Sequence, residues 1–172
     1  MLAKHFFFAI AVVGSAFASV NSEQAVADIH ELTRMTKIAK RSLEDYNGGI
    51  PGAYRIARSV YNAHTSAETA RKSMGNSDPL ADDDSGRTLD AYNQFYPVLL
   101  DTLQVAKTKA PELKKTGLSY PAQGMMANLY NEKTNFETVM HGRLSNNHSR
   151  MVQPSTEKVD RAFKDTLDAL KN

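Results

Sequence analysis

The sequence has no cysteine and no tryptophan. Without cysteine there is no disulfide scaffold, no thiol nucleophile and no thiolate metal site. A chain of 172 residues must then be stabilised by burial. Long apolar runs are scarce too. After residue 18 none approaches the ~20 residues that a membrane-spanning helix needs. Charge of one sign is not in excess, with 21 Lys+Arg against 19 Asp+Glu. This gives no clustered basic face for nucleic acid. Strand-like alternation of apolar and polar residues is missing throughout. So are the Gly-x-Ser-x-Gly elbow, a Gly-rich phosphate loop and a His-Glu-x-x-His helix.

The N-terminus is the one strongly apolar stretch. Lys4, the run Phe6–Val13 and the small-residue pattern Ala16-Phe17-Ala18 predict a secretory signal over residues 1–18. Residues 19–172 then form one domain of a secreted protein, with an extracellular or cell-wall location.

In that domain the apolar residues recur at helical spacing. Val26, Ile29, Leu32, Met35, Ala39, Leu43 and Tyr46 form one stripe, stopped by Asn47-Gly48-Gly49. Ile50-Pro51-Gly52 reads as a short connection. A second stripe, Ala53, Ile56, Val60, Ala63, Ala67, Ala70 and Met74, is a heptad-like seam whose alanines predict close approach of a neighbouring helix. Gly75–Pro79 breaks it. The third stripe is Leu89, Tyr92, Tyr96, Leu99, Leu103 and Ala106. Pro97 lies within it and predicts a kink near Asn93, or two abutting helices, with Pro111 a second interruption. The fourth stripe runs Met125, Leu129, Phe136, Val139 and Met140, with Glu132 at its edge. The polar segment 141–153 reads as loop-like, with a partly helical course as the alternative. Pro154-Ser155 then opens a last helix through Val159, Phe163, Thr166 and Leu170, with Ser155 as N-cap. The expected fold is all-α: a single-domain bundle of five to six antiparallel helices with a Pro-kinked third helix.

Candidate chemistry is sparse. His30, His64, His141 and His148 show no ligand spacing and read as surface or loop residues. Asp82-Asp83-Asp84-Ser85-Gly86 fails the calcium-loop pattern, because Gly86 falls at position 5 and Asn93 at position 12. It reads instead as an acidic helix start. The basic groups Arg34, Lys37, Arg41 and Lys107, Lys109, Lys114, Lys115 read as solvated faces. No cofactor, no metal and no catalytic residue is expected. Asn147-His148-Ser149 is an N-glycosylation sequon at Asn147. The methionines Met125, Met126 and Met140, with Tyr92, Tyr96 and Tyr130, suit either an ordinary core or an adaptable apolar pocket.

Four segments carry a family resemblance. Tyr46-Asn47-Gly48-Gly49 precedes a helix with Ala53 and Ile56. Pro79-Leu80-Ala81-Asp82 opens the next. Tyr96-Pro97-Val98-Leu99 is followed by Leu103. Lys109–Gly117 is followed by Met126 and Leu129. In this order they resemble the fungal hydrophobic surface-binding protein A family, which includes the antigenic cell-wall galactomannoproteins. The resemblance spans roughly residues 23–170. The chain departs from the family in carrying more Arg, Asn and His and in lacking a Ser/Thr-rich tail.

The resemblance implies a secreted, non-enzymatic protein that adsorbs to hydrophobic surfaces and holds a long-chain fatty acid or other apolar ligand between helices. It also implies secreted hydrolases as partners that such a protein recruits. On this reading Ile56, Val60, Leu99, Leu103, Met125, Leu129, Phe136, Met140 and Phe163 line an apolar tunnel, and Tyr92 and Tyr130 supply headgroup donors at its mouth. A wall or surface-adsorbing structural protein without a stoichiometric ligand is the alternative.

Overall fold

The structure, a computed structural model, describes residues 14–171, with side-chain surroundings from Ser22 onward. The expected leader falls largely outside the described residues. Five helices make up the chain: α1 Gly14–Glu44, α2 Ile50–Gly75, α3 Asp82–Lys115, α4 Ser119–Arg143 and α5 Asn146–Leu170. There is no strand among the described residues.

The helix starts and stops follow local chemistry. Gly48 and Gly49 turn the chain after α1 at φ 96° and 80°, a region that only glycine enters without strain. Ile50-Pro51-Gly52 is not a linker but the first turn of α2. There proline costs no hydrogen bond, because the first amides of a helix have no partner within it. Three aspartates open α3 at the positive end of its dipole, as expected. Gly117, at φ 73°, closes the turn into α4.

Three expectations are corrected. α3 runs unbroken through Pro97 and Pro111, so it is one helix and not two abutting ones. Segment 141–153 is helical apart from the turn at Leu144-Ser145, and α5 begins at Asn146. Pro154-Ser155 is therefore the interior of α5, and Ser155 caps nothing. All three prolines lie on exposed faces. The carbonyls they leave without a helical donor can be hydrated there. Fully buried Val152 and Val159 hold α5 in place on both sides of Pro154.

The helices pack as a closed ring. α1 lies against α2 and α3, α3 against α5, α5 against α4, and α4 against α2. α1 makes no close backbone approach to α4 or α5 among the described residues. Each seam carries a side-chain link. Ser73 donates to Asp28 Oδ2 at 2.5 Å (α1–α2), and Lys40 pairs with Asp101 (α1–α3). Lys107 meets Asp165 at 3.0 Å (α3–α5). Arg71 Nε meets Glu132 Oε1 at 2.6 Å (α2–α4), and Lys133 meets Asp160 at 2.5 Å (α4–α5). Glu132 is thus not at the edge of its helical face but buried, with Arg71 as counter-ion.

Candidate functional site: an axial apolar tunnel

A ring of five helices leaves its axis open unless large side chains fill it. Here the core divides into three clusters. One surrounds Ile29, Met74, Tyr92, Phe136 and Met140. A second surrounds Leu43, Tyr46, Ile56 and Leu113 at the opposite end. A third joins Leu103, Val159 and Phe163. Between them the ring presents small residues, and Ala39, Ala63, Ala67 and Ala106 face a cavity. Ala63 and Ala67 border this space as well as the packed core.

The inner cavity has a volume of about 80 Å³. A single water needs about 10–15 Å³ by the same measure, so this space is larger than a packing gap. Leu32, Phe95, Leu99, Leu103, Phe136 and Phe163 are among its walls. An outer cavity of about 310 Å³ is lined by Ile56, Val60, Leu118, Met125 and Leu170. Both are bordered by Leu43, Val60, Ala106, Met126 and Leu129, so the two share one wall. On α4 the lining advances from Pro121 through Met125 and Leu129 to Lys133 and Glu137. That is roughly 24 Å at 1.5 Å per residue. A bilayer's hydrocarbon core is about 30 Å for two layers of tails, or roughly 15 Å each. The stretch of α4 that lines the two adjoining cavities is long enough for one acyl chain. Its outer rim carries Ile50 and Tyr54, exposed at 82% and 67%.

The inner end is polar at one place. Lys133 and Glu137, one turn apart on α4, both line the inner cavity beside Tyr92. Lys133 Nζ lies 2.5 Å from Glu137 Oε2 and 2.5 Å from Asp160 Oδ1. The Tyr92 hydroxyl donates to Glu137 Oε1 at 3.0 Å. Burial holds the Glu137 carboxyl above its usual range, against the pull of Lys133 and Tyr92. Burial, with Glu137 next to it, pushes the Tyr92 phenol upward as well.

Nine of the eleven residues expected at a ligand site border the two cavities: Ile56, Val60, Tyr92, Leu99, Leu103, Met125, Leu129, Phe136 and Phe163. Met140 lines neither. It is fully buried in the cluster beyond the inner end. Tyr130 stands aside, its ring tilted over Phe163 at 5.3 Å. Tyr92 is not at the mouth; it is 2% exposed at the inner end. Lys133 and Glu137 were not anticipated. Their four-residue spacing resembles any exposed i,i+4 ion pair, and only the facing Tyr92 on α3 and Asp160 on α5 mark them as interior.

The histidines do not assemble a site. His148 Nδ1 meets Asp82 at 3.2 Å and Ser145 Oγ at 2.9 Å, within the turn that ties α5 to α3. His141 Nδ1 meets Ser149 Oγ at 2.8 Å. No helix among the described residues is long and apolar enough to cross a membrane.

Comparison with known proteins gives a family and a set of folds. The model of the family described as hydrophobic surface binding protein A matches residues 22–142. No curated protein sequence matches the chain. Among solved structures, AfMP4p in complex with palmitic acid superposes with a TM-score of 0.84 at 12% identity, over 87% of this chain and 99% of that one. Ligand binding domain 1 of Penicillium marneffei MP1, complexed with arachidonic acids, gives 0.80 at 12% identity, over 89% and 99%. Domain 2 of the same protein, also with arachidonic acids, gives 0.76 at 13%, over 95% and 97%. At these identities the likeness is one of fold.

Proposed function

The chain belongs to the hydrophobic surface binding protein A family, and from that membership and its tunnel we propose that it is a secreted, non-enzymatic carrier of single-chain lipids, with long-chain fatty acids among them. The observation that carries this reading is the pair of adjoining cavities whose walls are almost wholly apolar from Ile56 to Phe136. Each methylene moved from water into such a space contributes ~0.8 kcal/mol. A long chain therefore binds with few polar contacts. The fatty acids held by proteins of the same fold support the choice of ligand. The ligand-binding residues are the nine that border the tunnel, with Met140 and Tyr130 supporting its walls.

Adsorption to hydrophobic surfaces fits the same mouth. Exposed Ile50 and Tyr54 sit on its rim, and Tyr120, 84% exposed, adjoins Pro121. In this reading secreted hydrolases are brought to a surface on which the carrier rests. Residues 1–18 are removed as a leader. Asn147, exposed in the first turn of α5, carries the glycan.

Native mass spectrometry of the secreted protein tests the carrier. A discrete added mass that is lost on denaturation and identified as a single-chain lipid is expected. Leu129→Trp, which places an indole at the wall shared by both cavities, should abolish it while leaving the helical content intact. Protein that is bare as secreted and gains no mass from added palmitate would leave surface adsorption without a stoichiometric ligand as the better account.

A further inference from the structure

The inner end of the tunnel has hydrogen-bonding capacity that the fold itself does not use. An ammonium carries three donors, and Lys133 spends two of them on Glu137 and Asp160. An ionised carboxylate offers about four acceptor positions, and Glu137 receives one bond at each oxygen, from Tyr92 and from Lys133. Beyond the approach of Lys133 Nζ to the Tyr130 ring at 5.9 Å, one donor and at least one acceptor remain side by side at the cavity wall. Two carboxyl groups, those of Glu137 and Asp160, share one ammonium there. Tyr92 and Tyr130 are the other titratable groups coupled to this cluster, and both phenols are held above their usual range, chiefly by burial. Arg71 is occupied by Glu132 on the seam with α2 and does not line the cavity.

A lipid carboxylate entering this end would be the third around one ammonium. In a low-dielectric site like-charge repulsion is poorly screened. A hydroxyl brings no charge. It can accept from Lys133 and donate to Glu137 at once, which matches the donor and acceptor left over. The outer cavity has no charged lining residue, so no ion pair at the mouth competes for the headgroup. From Lys133 to Pro121 the lining spans roughly 18 Å of helix, room for a tail that runs outward from a headgroup held inside.

We propose that the Lys133–Glu137–Asp160 cluster makes the inner end of the tunnel a headgroup subsite for an uncharged hydroxyl, so that the protein prefers long-chain alcohols to ionised fatty acids of the same length. This rests on the carrier reading above and names the headgroup within it.

Competition between 1-hexadecanol and palmitate for delipidated full-length mature protein near neutral pH tests it, with the bound lipids extracted and quantified. The alcohol should be retained over palmitate by at least about tenfold. Glu137→Gln removes one negative charge and keeps an acceptor for Tyr92. It should shift the retained ratio toward palmitate by about tenfold. Asp160→Asn, at the half-exposed edge of the cluster, makes a similar change without touching the buried carboxyl and should move the ratio the same way. Equal retention of the two lipids by the unaltered protein, or a ratio that neither variant moves, overturns the headgroup assignment while leaving the carrier standing. Retention of neither lipid overturns the carrier, and the assignment falls with it.

Discussion

Glu137 holds its carboxylate where burial opposes the charge, and stability should show it. Below the ordinary glutamate value of 4.5 the group is neutral in both folded and unfolded chains. As pH rises past that value the unfolded chain releases its proton first, because burial keeps the folded pKa higher. The native state is therefore progressively penalised until its own pKa is passed. Glu137→Gln removes this dependence. The stability of the variant relative to the unaltered protein should climb as pH goes from acid to neutral. Urea unfolding of both proteins across that range measures it, and a difference that stays flat or falls would show that the carboxyl is not held up by burial. Sequence periodicity could not have located this group. Glu137 lies one residue past Phe136 on α4, and its surroundings come from Tyr92 on α3 and Asp160 on α5. Ile56, Val60, Leu99, Leu103 and Leu129 were readable at the same scale, since an apolar residue on the inner stripe of a helix must face whatever the bundle encloses.

Among the elements, the turn into α2 tolerates the least change. Gly52 lies under the Tyr46 ring, and an added Cβ would stand 2.9 Å from Tyr46 Cδ2. Gly52→Ala gains helix propensity but must displace a ring that is 1% exposed and whose hydroxyl meets Thr116 at 3.0 Å. Overpacking of this kind costs about 1–3 kcal/mol, so a drop in chemical-denaturation midpoint is expected and an unchanged or higher midpoint would show that the ring yields freely. Pro154 poses the opposite case. It sits exposed inside α5, where proline removes a donor and crowds the preceding turn. Pro154→Ala should stabilise by roughly 1–2 kcal/mol, the restored hydrogen bond being offset in part by a freer unfolded chain. The same proline explains why the start of α5 was misread. Taken alone, Asn-rich 145–150 followed by Pro154 is a loop and a helix start. Leu144 and Val152 reverse that by docking into the cluster around Met140. The stop at Gly48 and Gly49 was legible because a left-handed backbone leaves little choice of residue.

At the scale of the molecule, five amphipathic stripes and short turns imply a bundle, but they do not order it. The ring α1–α2–α4–α5–α3 is set by which apolar faces meet, and by seam pairs 27 to 61 positions apart in the chain, such as Lys133–Asp160 and Arg71–Glu132. A linear pattern does not pair residues across such distances. Nor does it reveal that Ala39, Ala63, Ala67 and Ala106 border one cavity, where their small size adds up to a void. Each alanine alone reads as close packing.

The tunnel's two ends are unlike. Beyond Tyr92 and Phe136 the axis is filled by Ile29, Met74, Met140 and Val152, all 0% exposed. Arg143 bonds to the Gly75 carbonyl at 2.7 Å, and the Leu80 amide to the Arg143 carbonyl at 2.8 Å, closing the turns over that end. Among the described residues, traffic therefore passes on the side of Ile50 and Tyr54. A cargo that leaves by the way it came must be gone before its successor can enter. Exchange of a pre-loaded fluorescent acyl chain should proceed at a rate that does not depend on how much unlabelled lipid is waiting outside. A rate that rose in proportion to the incoming lipid would mean that the far end opens, or that two chains can pass.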